Sequence, residues 1–205
     1  DFNKFQNIGE KIEIYKNTKK TIEFDASDVN IDYLGYIVNE DQLVKIISNK
    51  IFDNQEIKKS EKPILSPGKS MLNIISNHND ICTAKDSINF TSKDYSQTAI
   101  NMSFQHSEAN MGIPRQIFYK DEILGFLPLN NNSYNLIWSM PNYTFKKIKL
   151  LDREEYKTLL NTRTDFLFGE IEEIQLGNSF PLSSRHASQY YYNNCLLIGD
   201  SAHKF

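Results

Sequence analysis

Glycine is thinly spread in this sequence. The eight glycines stand at 9, 35, 68, 112, 125, 169, 177 and 199, and no two are two residues apart. The G-x-G-x-x-G turn with which dinucleotide-binding βαβ units cradle a pyrophosphate is therefore missing. Cysteine is scarcer still: Cys82 and Cys195 lie more than a hundred residues apart, which excludes a disulfide framework and paired metal-ligand spacing. The histidines, His78, His106, His186 and His203, fall in no HxH or HExxH pattern, and no metal site is expected. Neither sign of charge dominates. Against 26 Asp and Glu, 23 Lys and Arg give a formal net charge of -3, with the cations scattered rather than striped, so nucleic-acid binding is not expected. No apolar run approaches the ~18 to 20 residues that span a bilayer, and the first residues lack a basic stretch followed by an apolar one. A soluble globular protein is expected.

What is present is apolar and aromatic: 40% hydrophobic and 12% aromatic residues over 205 positions suffice for one large domain or two small ones. Ile12 and Ile14, then Ile22 and Phe24, alternate around Asn17-Thr18-Lys19-Lys20 and predict a hairpin. Leu43, Ile46, Ile47 and Ile51 fall at helical spacing, with Asp41 early and Lys50 late to complement the dipole, and predict a helix that packs into a core. Residues 52–68 read as a loop. The β signal is strongest over residues 95 to 140, with Asn130-Asn131-Asn132-Ser133 as a hairpin loop. From Asp152 the sequence predicts another helix, acidic at its start and basic at Lys157. Tyr190-Tyr191-Tyr192 reads as structure rather than a base-stacking platform, because no basic surface accompanies it.

The C-terminal run Cys195-Leu196-Leu197-Ile198-Gly199-Asp200-Ser201-Ala202-His203 predicts a buried strand feeding a ligand-facing turn. Cys195 starts it as a small apolar residue. Gly199 permits close backbone approach, and Asp200 can cap a helix beginning at Ser201.

This run resembles the GD(S/A)AH flavin-contact motif of the FAD-dependent aromatic hydroxylases related to p-hydroxybenzoate hydroxylase, in particular the ubiquinone-biosynthesis branch. Other segments resemble the same family in order: Leu34-Gly35-Tyr36-Ile37-Val38-Asn39 with Leu43, Asp94-Tyr95-Ser96-Gln97-Thr98-Ala99, Gln116-Ile117-Phe118, Leu124 to Leu129, Leu136-Ile137-Trp138-Ser139, Phe180-Pro181-Leu182 and Arg185-His186-Ala187. Together they span roughly residues 30 to 205.

The resemblance implies an α/β (α+β) fold in three parts. Residues 1–88 would be a partial FAD-binding domain without the G-x-G-x-x-G unit, 89–180 a mixed β-sheet substrate domain, and 181–205 the strand returning to the flavin. It implies FAD as cofactor, contacted by Gly199, Asp200, Ser201, Ala202 and His203, with Asp200 on the ribityl chain and NAD(P)H or another reductant supplying electrons. Phe118, Leu127, Pro128, Leu129 and Trp138 would form the substrate wall. The reaction implied is hydroxylation of the aromatic ring of a polyprenylated phenol, within a ubiquinone-biosynthesis protein assembly, in the cytoplasm with room for peripheral contact with the inner membrane. Because the flavin carries the chemistry, no catalytic side chain is assigned.

Two departures bear on this. The ADP-binding turn is absent, which marks the chain as a fragment or degenerate copy expected to hold FAD weakly. Ser66-Pro67-Gly68 stands where the family has an aspartate before glycine, and Pro67 supplies neither carboxylate nor N–H. A quinone- or isoprenoid-binding module without catalysis, and a degenerate gene product without FAD, are the other readings of the same residues.

Overall fold

The computed structural model describes residues 6–57, 72–76, 88–108, 112–192 and 194–204. The Ser66-Pro67-Gly68 segment, His78 and Cys82 lie outside them. In chain order the elements are β1 (Gln6–Gly9), β2 (Lys11–Lys16), β3 (Lys19–Asp25), a 3-10 turn (Ala26–Val29), β4 (Gly35–Val38), α1 (Glu40–Phe52), β5 (Asn73–Ile75) and β6 (Phe90–His106). They continue with β7 (Arg115–Phe118), β8 (Ile123–Asn130), β9 (Ser133–Pro141), α2 (Asn142–Ile148), α3 (Arg153–Thr164), β10 (Ile171–Ala187), β11 (Tyr191–Tyr192), β12 (Cys195–Leu197), a 3-10 turn (Gly199–Ser201) and β13 (His203–Lys204). The chain divides into two compact units, one from Asp1–Asp53 and Thr98–Pro181, the other from Asn54–Gln97 and Leu182–Phe205. Among the described residues no helix is long and apolar enough to cross a membrane.

The first unit is built on a mixed sheet in the order β10-β6-β9-β8-β7-β2-β3. Its pairings around β8 are antiparallel, and β2 joins β7 in parallel. The expected hairpin is β2–β3, with Asn17 in the left-handed region at its turn (φ 56°), a conformation asparagine tolerates better than most residues. Strand β9 shows why one face is buried. Its sequence alternates so that Tyr134, Leu136, Trp138 and Met140 all point inward and are fully buried. They join Ile100, Met102 and Phe104 of β6, Ile117 of β7, Leu124 and Phe126 of β8, and Ile148, Tyr156 and Leu160 of the two helices in one core.

The helix expected from Asp152 is α3. Asp152 accepts from the Glu155 N–H at 2.9 Å and Glu155 accepts from the Asp152 N–H at 2.9 Å, a reciprocal capping box. Pro128 lies beyond the reach of β7, which pairs β8 only from Ile123 to Phe126, so its missing N–H costs the sheet no bond there.

Helix α1 forms where predicted, with Asn39 capping it through Gln42 N–H at 3.1 Å. It is not the core element expected: none of its residues is buried, and Val44, Ile47 and Ile51 are exposed. Helical spacing establishes which side chains share a stripe but not whether anything covers it.

In the second unit, β12 pairs in parallel with β5 and antiparallel with β11, and β13 pairs with the end of β10 through Arg185↔Lys204 and His186↔His203. Ile75, Ile88, Ala187, Cys195, Leu197 and Ala202 form its own small core.

Candidate functional site

The residues singled out by sequence fall in both units. In the second, Cys195–Leu197 is a strand with Cys195 and Leu197 buried and Ile198 exposed. The chain leaves its carboxyl end through Gly199, which adopts a left-handed conformation (φ +53°). A Cβ added there would stand 3.5 Å from the Ser76 carbonyl oxygen, so conformation rather than space calls for glycine.

The turn is held by backbone and hydroxyl bonds. The Ile198 N–H donates to Ile75 O at 2.8 Å and the Ala202 N–H to Gly199 O at 3.0 Å. The buried Ser201 hydroxyl is bonded to Ile75 O and to Ile198 O, the latter at 2.8 Å. Asp200 does not cap a helix at Ser201. Residues Gly199–Ser201 form a single 3-10 turn with Ile198 in the N-cap position, and the chain passes directly into β13. The Asp200 carboxylate is exposed, Ala202 is buried, and His203 is half-buried. His203 stacks on His186, with ring centroids 6.4 Å apart and planes at 22°, and the Tyr190 hydroxyl is 2.8 Å from His186 Nε2. Behind this cluster Arg185 lies 3.6 Å over the Phe90 ring.

Of the five motif residues, then, Ser201 and Ala202 serve the turn itself, while Gly199 and Asp200 are left at the surface. His203 is tied into a cross-strand pair.

In the first unit the expected substrate wall is split between two faces. Strand alternation puts Leu127 and Leu129 on one side of β8 and Pro128 on the other. Phe118 shares the side of Leu127, because Phe118 pairs with Ile123. Trp138 stands on the covered side, fully buried, its indole N–H donating to Glu122 at 3.1 Å. The open side is nonetheless apolar. Ile22, Phe24, Phe118, Ile123, Leu127 and Leu129 are each between 36% and 51% exposed, and register carries them across β3, β7 and β8 with Ile14 of β2 among them.

The covered side carries a polar cluster that sequence reasoning missed. Glu13 accepts from Arg115 Nε at 2.7 Å and from the Tyr15 hydroxyl at 2.9 Å, and Arg115 reaches the Tyr134 hydroxyl at 3.2 Å. Tyr134 in turn donates to Ile113 O at 2.9 Å. Burial alone would raise the Glu13 pKa, but the hydrogen bonds from Arg115 and Tyr15 outweigh it and hold the carboxyl below its ordinary value. Nearby, His106 is 1% exposed among the rings of Phe104, Tyr134 and Phe168. Neither ring nitrogen makes a hydrogen bond of ordinary geometry among the described residues, and burial lowers its pKa against a smaller upward pull from the Glu108 backbone. The signal lay in β2, where Ile12 and Ile14 drew attention although Glu13 and Tyr15 face the core. Among the described residues no three His, Cys, Asp or Glu side chains are grouped to hold a metal.

No family model matches the chain. Over 109 residues, 53% of this chain, it is 25% identical to ubiquinone hydroxylase UbiL of Rhodospirillum rubrum, covering 25% of that protein. It is 27% identical to 3-demethoxyubiquinol 3-hydroxylase of Escherichia coli over the same length, covering 28% of it. The aligned stretch thus spans about a quarter of these relatives. Among solved structures, PqsL of Pseudomonas aeruginosa, a probable FAD-dependent monooxygenase, superposes with a TM-score of 0.74 at 12% identity over 97% of this chain and 62% of its own. The p-nitrophenol 4-monooxygenase PnpA of Pseudomonas putida gives 0.72 at 12% identity over 99% and 58%. Over about half its length the chain is thus similar in sequence to ubiquinone hydroxylases, and it shares its fold with solved FAD-dependent monooxygenases.

Proposed function

We propose that this chain contributes the ribityl-side flavin contact and the apolar substrate wall of a monooxygenase that hydroxylates the ring of a polyprenylated phenol. The observation that carries this is the surface left by the Gly199–Ser201 turn: a left-handed glycine and an exposed carboxylate at the carboxyl end of a parallel strand, where ligands of α/β sheets bind. An exposed carboxylate accepts hydrogen bonds from the hydroxyls of a polyol chain, and Gly199 lets a ligand approach the backbone without a Cβ between. These residues fit a flavin. When bound, FAD supplies the oxygen-transfer chemistry, with NAD(P)H or another donor as reductant.

The protein's share is orientation and exclusion of water. Ser201, spent on Ile75 O and Ile198 O, fixes the turn that presents Asp200. The open face of Phe118, Leu127 and Leu129 offers an apolar surface to a prenylated ring, whereas Trp138 and Pro128 support it from the covered side. Such a surface repels water from the reacting centre.

Flavin titration tests the assignment. Because the sequence carries no dinucleotide turn, FMN and FAD should bind this chain with comparable, weak affinity, and Asp200→Ala should weaken both at least tenfold while leaving the thermal midpoint unchanged. Equal flavin affinity in the two proteins refutes the contact. The exposed apolar face also supports a second reading, a non-catalytic quinone- or isoprenoid-binding module. That reading requires a prenylated quinone to raise the midpoint in the absence of flavin.

A further inference from the structure

Where β3, β2 and β7 end side by side, the first unit has a cleft of about 560 Å³ lined by Ile14, Tyr15, Lys16, Thr21, Ile22 and Phe118, with Asn17, Tyr119 and Lys120 completing it. The volume lies within the ~300 to 1,000 Å³ usual for small-molecule sites. Its shape is set by the backbone. Lys16 is the parallel partner of Phe118, Ile14 is the cross-strand partner of Ile22, and the Asn17 N–H donates to Phe118 O at 2.8 Å, pinning the hairpin turn to the end of β7. The Tyr119 hydroxyl is bonded to Arg163 O, which holds that wall against the helix side.

The charge lining this cleft is one-sided, although exposed Asp121 follows Lys120 directly in the chain. Elsewhere on the hairpin, Lys11 is paired with Asp25 at 2.7 Å and Lys20 with Glu23 at 2.6 Å. Lys16 and Lys120 make no salt bridge among the described residues, and no carboxylate lines the cleft. Glu122, just past it, is engaged by Trp138 and Arg163. Two cations over a floor of Ile14, Ile22 and Phe118 complement a molecule with an apolar body and an anionic head, since an ammonium gains most from an anion where the neighbouring surface is apolar and poorly hydrated.

We infer that this cleft is a binding site for a single-chain carboxylate amphiphile, its tail on Ile14, Ile22 and Phe118 and its carboxylate between Lys16 and Lys120. The site needs no flavin and involves none of the Gly199–His203 residues, so it stands or falls apart from the flavin contact, while sharing Phe118 with the proposed substrate wall; the lysine variant, which leaves Phe118 in place, separates the two. Laurate, kept below its micelle concentration, is the probe, titrated calorimetrically into the 205-residue chain beside dodecylammonium and uncharged dodecanol. Laurate should bind at one site per chain and more tightly than either counterpart. The exposed double variant Lys16→Gln/Lys120→Gln should lose about tenfold or more in laurate affinity, keep its dodecanol affinity, and melt at the wild-type temperature. Phe118→Ala should weaken laurate and dodecanol alike. Unchanged laurate affinity in the double lysine variant overturns the inference, as does dodecylammonium binding as tightly as laurate. Flavin affinity measured on the same variant should be unaltered.

Discussion

Replacing Arg115 by methionine removes the centre of the covered polar cluster and leaves Glu13 in place. Both side chains are about nine-tenths buried, at 8% and 10% exposure, with Arg115 Nε 2.7 Å from the carboxylate. After the change Glu13 retains the Tyr15 hydroxyl and Lys20 Nζ, the latter at 3.3 Å, and Tyr134 loses a donor. Removing one partner of a buried ion pair typically costs ~3 to 5 kcal/mol, whereas replacing both by apolar groups of similar volume is close to neutral. With a urea slope of ~2 kcal/mol per molar, the single variant should unfold about 2 M earlier. The double variant Glu13→Leu/Arg115→Met should recover most of that loss. Trp138 is the single tryptophan and is fully buried in the same core, so its fluorescence reports this unit directly. The pH dependence has a defined sign. The wild-type Glu13 pKa is lowered by folding, so its stabilisation is present above the ordinary carboxylate range and lost as pH falls through the folded value. Without Arg115, burial opposes ionisation, and protonation then stabilises the variant. The gap between the two proteins should therefore start to narrow above the ordinary glutamate pKa of ~4.3, as the variant takes up its proton, and continue to narrow below it as the wild type loses its stabilisation. A single variant that unfolds at the wild-type urea concentration, or a double variant no more stable than the single, refutes the account of Glu13 as a charge that depends on Arg115.

Other perturbations probe separate parts of the chain. Because burial lowers the His106 pKa, the unfolded chain takes up the proton first as pH falls through about 6.5, so stability should decline from pH 7 to 5 and the decline should be smaller in His106→Leu. An equal drop in urea midpoint between the two pH values in the two proteins would refute this. Asp152→Ala breaks the capping box of α3 and should cost ~1 kcal/mol, within the ~0.5 to 2 kcal/mol range for lost caps, seen as an earlier Trp138 transition. Gly199→Ala forces a Cβ into a left-handed conformation at ~1 to 2 kcal/mol without a steric clash at Ser76 O. Hydrogen exchange at the Ile198 and Ala202 amides should accelerate, and less so in Gly199→Asn.

Period-two patterning made much of the sheet legible. The alternation that gives β9 its buried Tyr134, Leu136, Trp138 and Met140 is plain in the sequence, as are the Asn17 and Asn131 turns that join hairpin strands. The helix from Asp152 is legible in its acidic start and Lys157, whereas sequence reasoning missed its capping box, Asp152 with Glu155 three residues on, although the spacing was there to see. What alternation cannot convey is which face another element covers. In β2 the branched apolar residues Ile12 and Ile14 alternate with Glu13 and Tyr15, and hydrophobicity alone sends the isoleucines inward. The structure does the reverse, because Arg115 comes from a strand a hundred residues away to neutralise Glu13. A buried charge is legible only with its partner, and partners in a parallel pairing are remote in sequence.

The same ambiguity explains the divided substrate wall. Leu127, Pro128 and Leu129 are consecutive and so cannot share a face in a regular strand; a motif quoted as a continuous string necessarily mixes residues that meet a ligand with residues that support them. Applied to the proposed flavin contact, that distinction separates Ser201, whose hydroxyl is consumed by Ile75 O and Ile198 O, from Asp200, which is exposed. A turn whose serine is bonded internally and whose aspartate faces solvent leaves one carboxylate exposed. The sheet likewise keeps Trp138, Tyr134 and Phe126 packed on one side so that Ile22, Phe118 and Leu127 remain at the surface on the other. In both units the most buried residues fix the frame, and the residues available for recognition are those the frame leaves outside its own core.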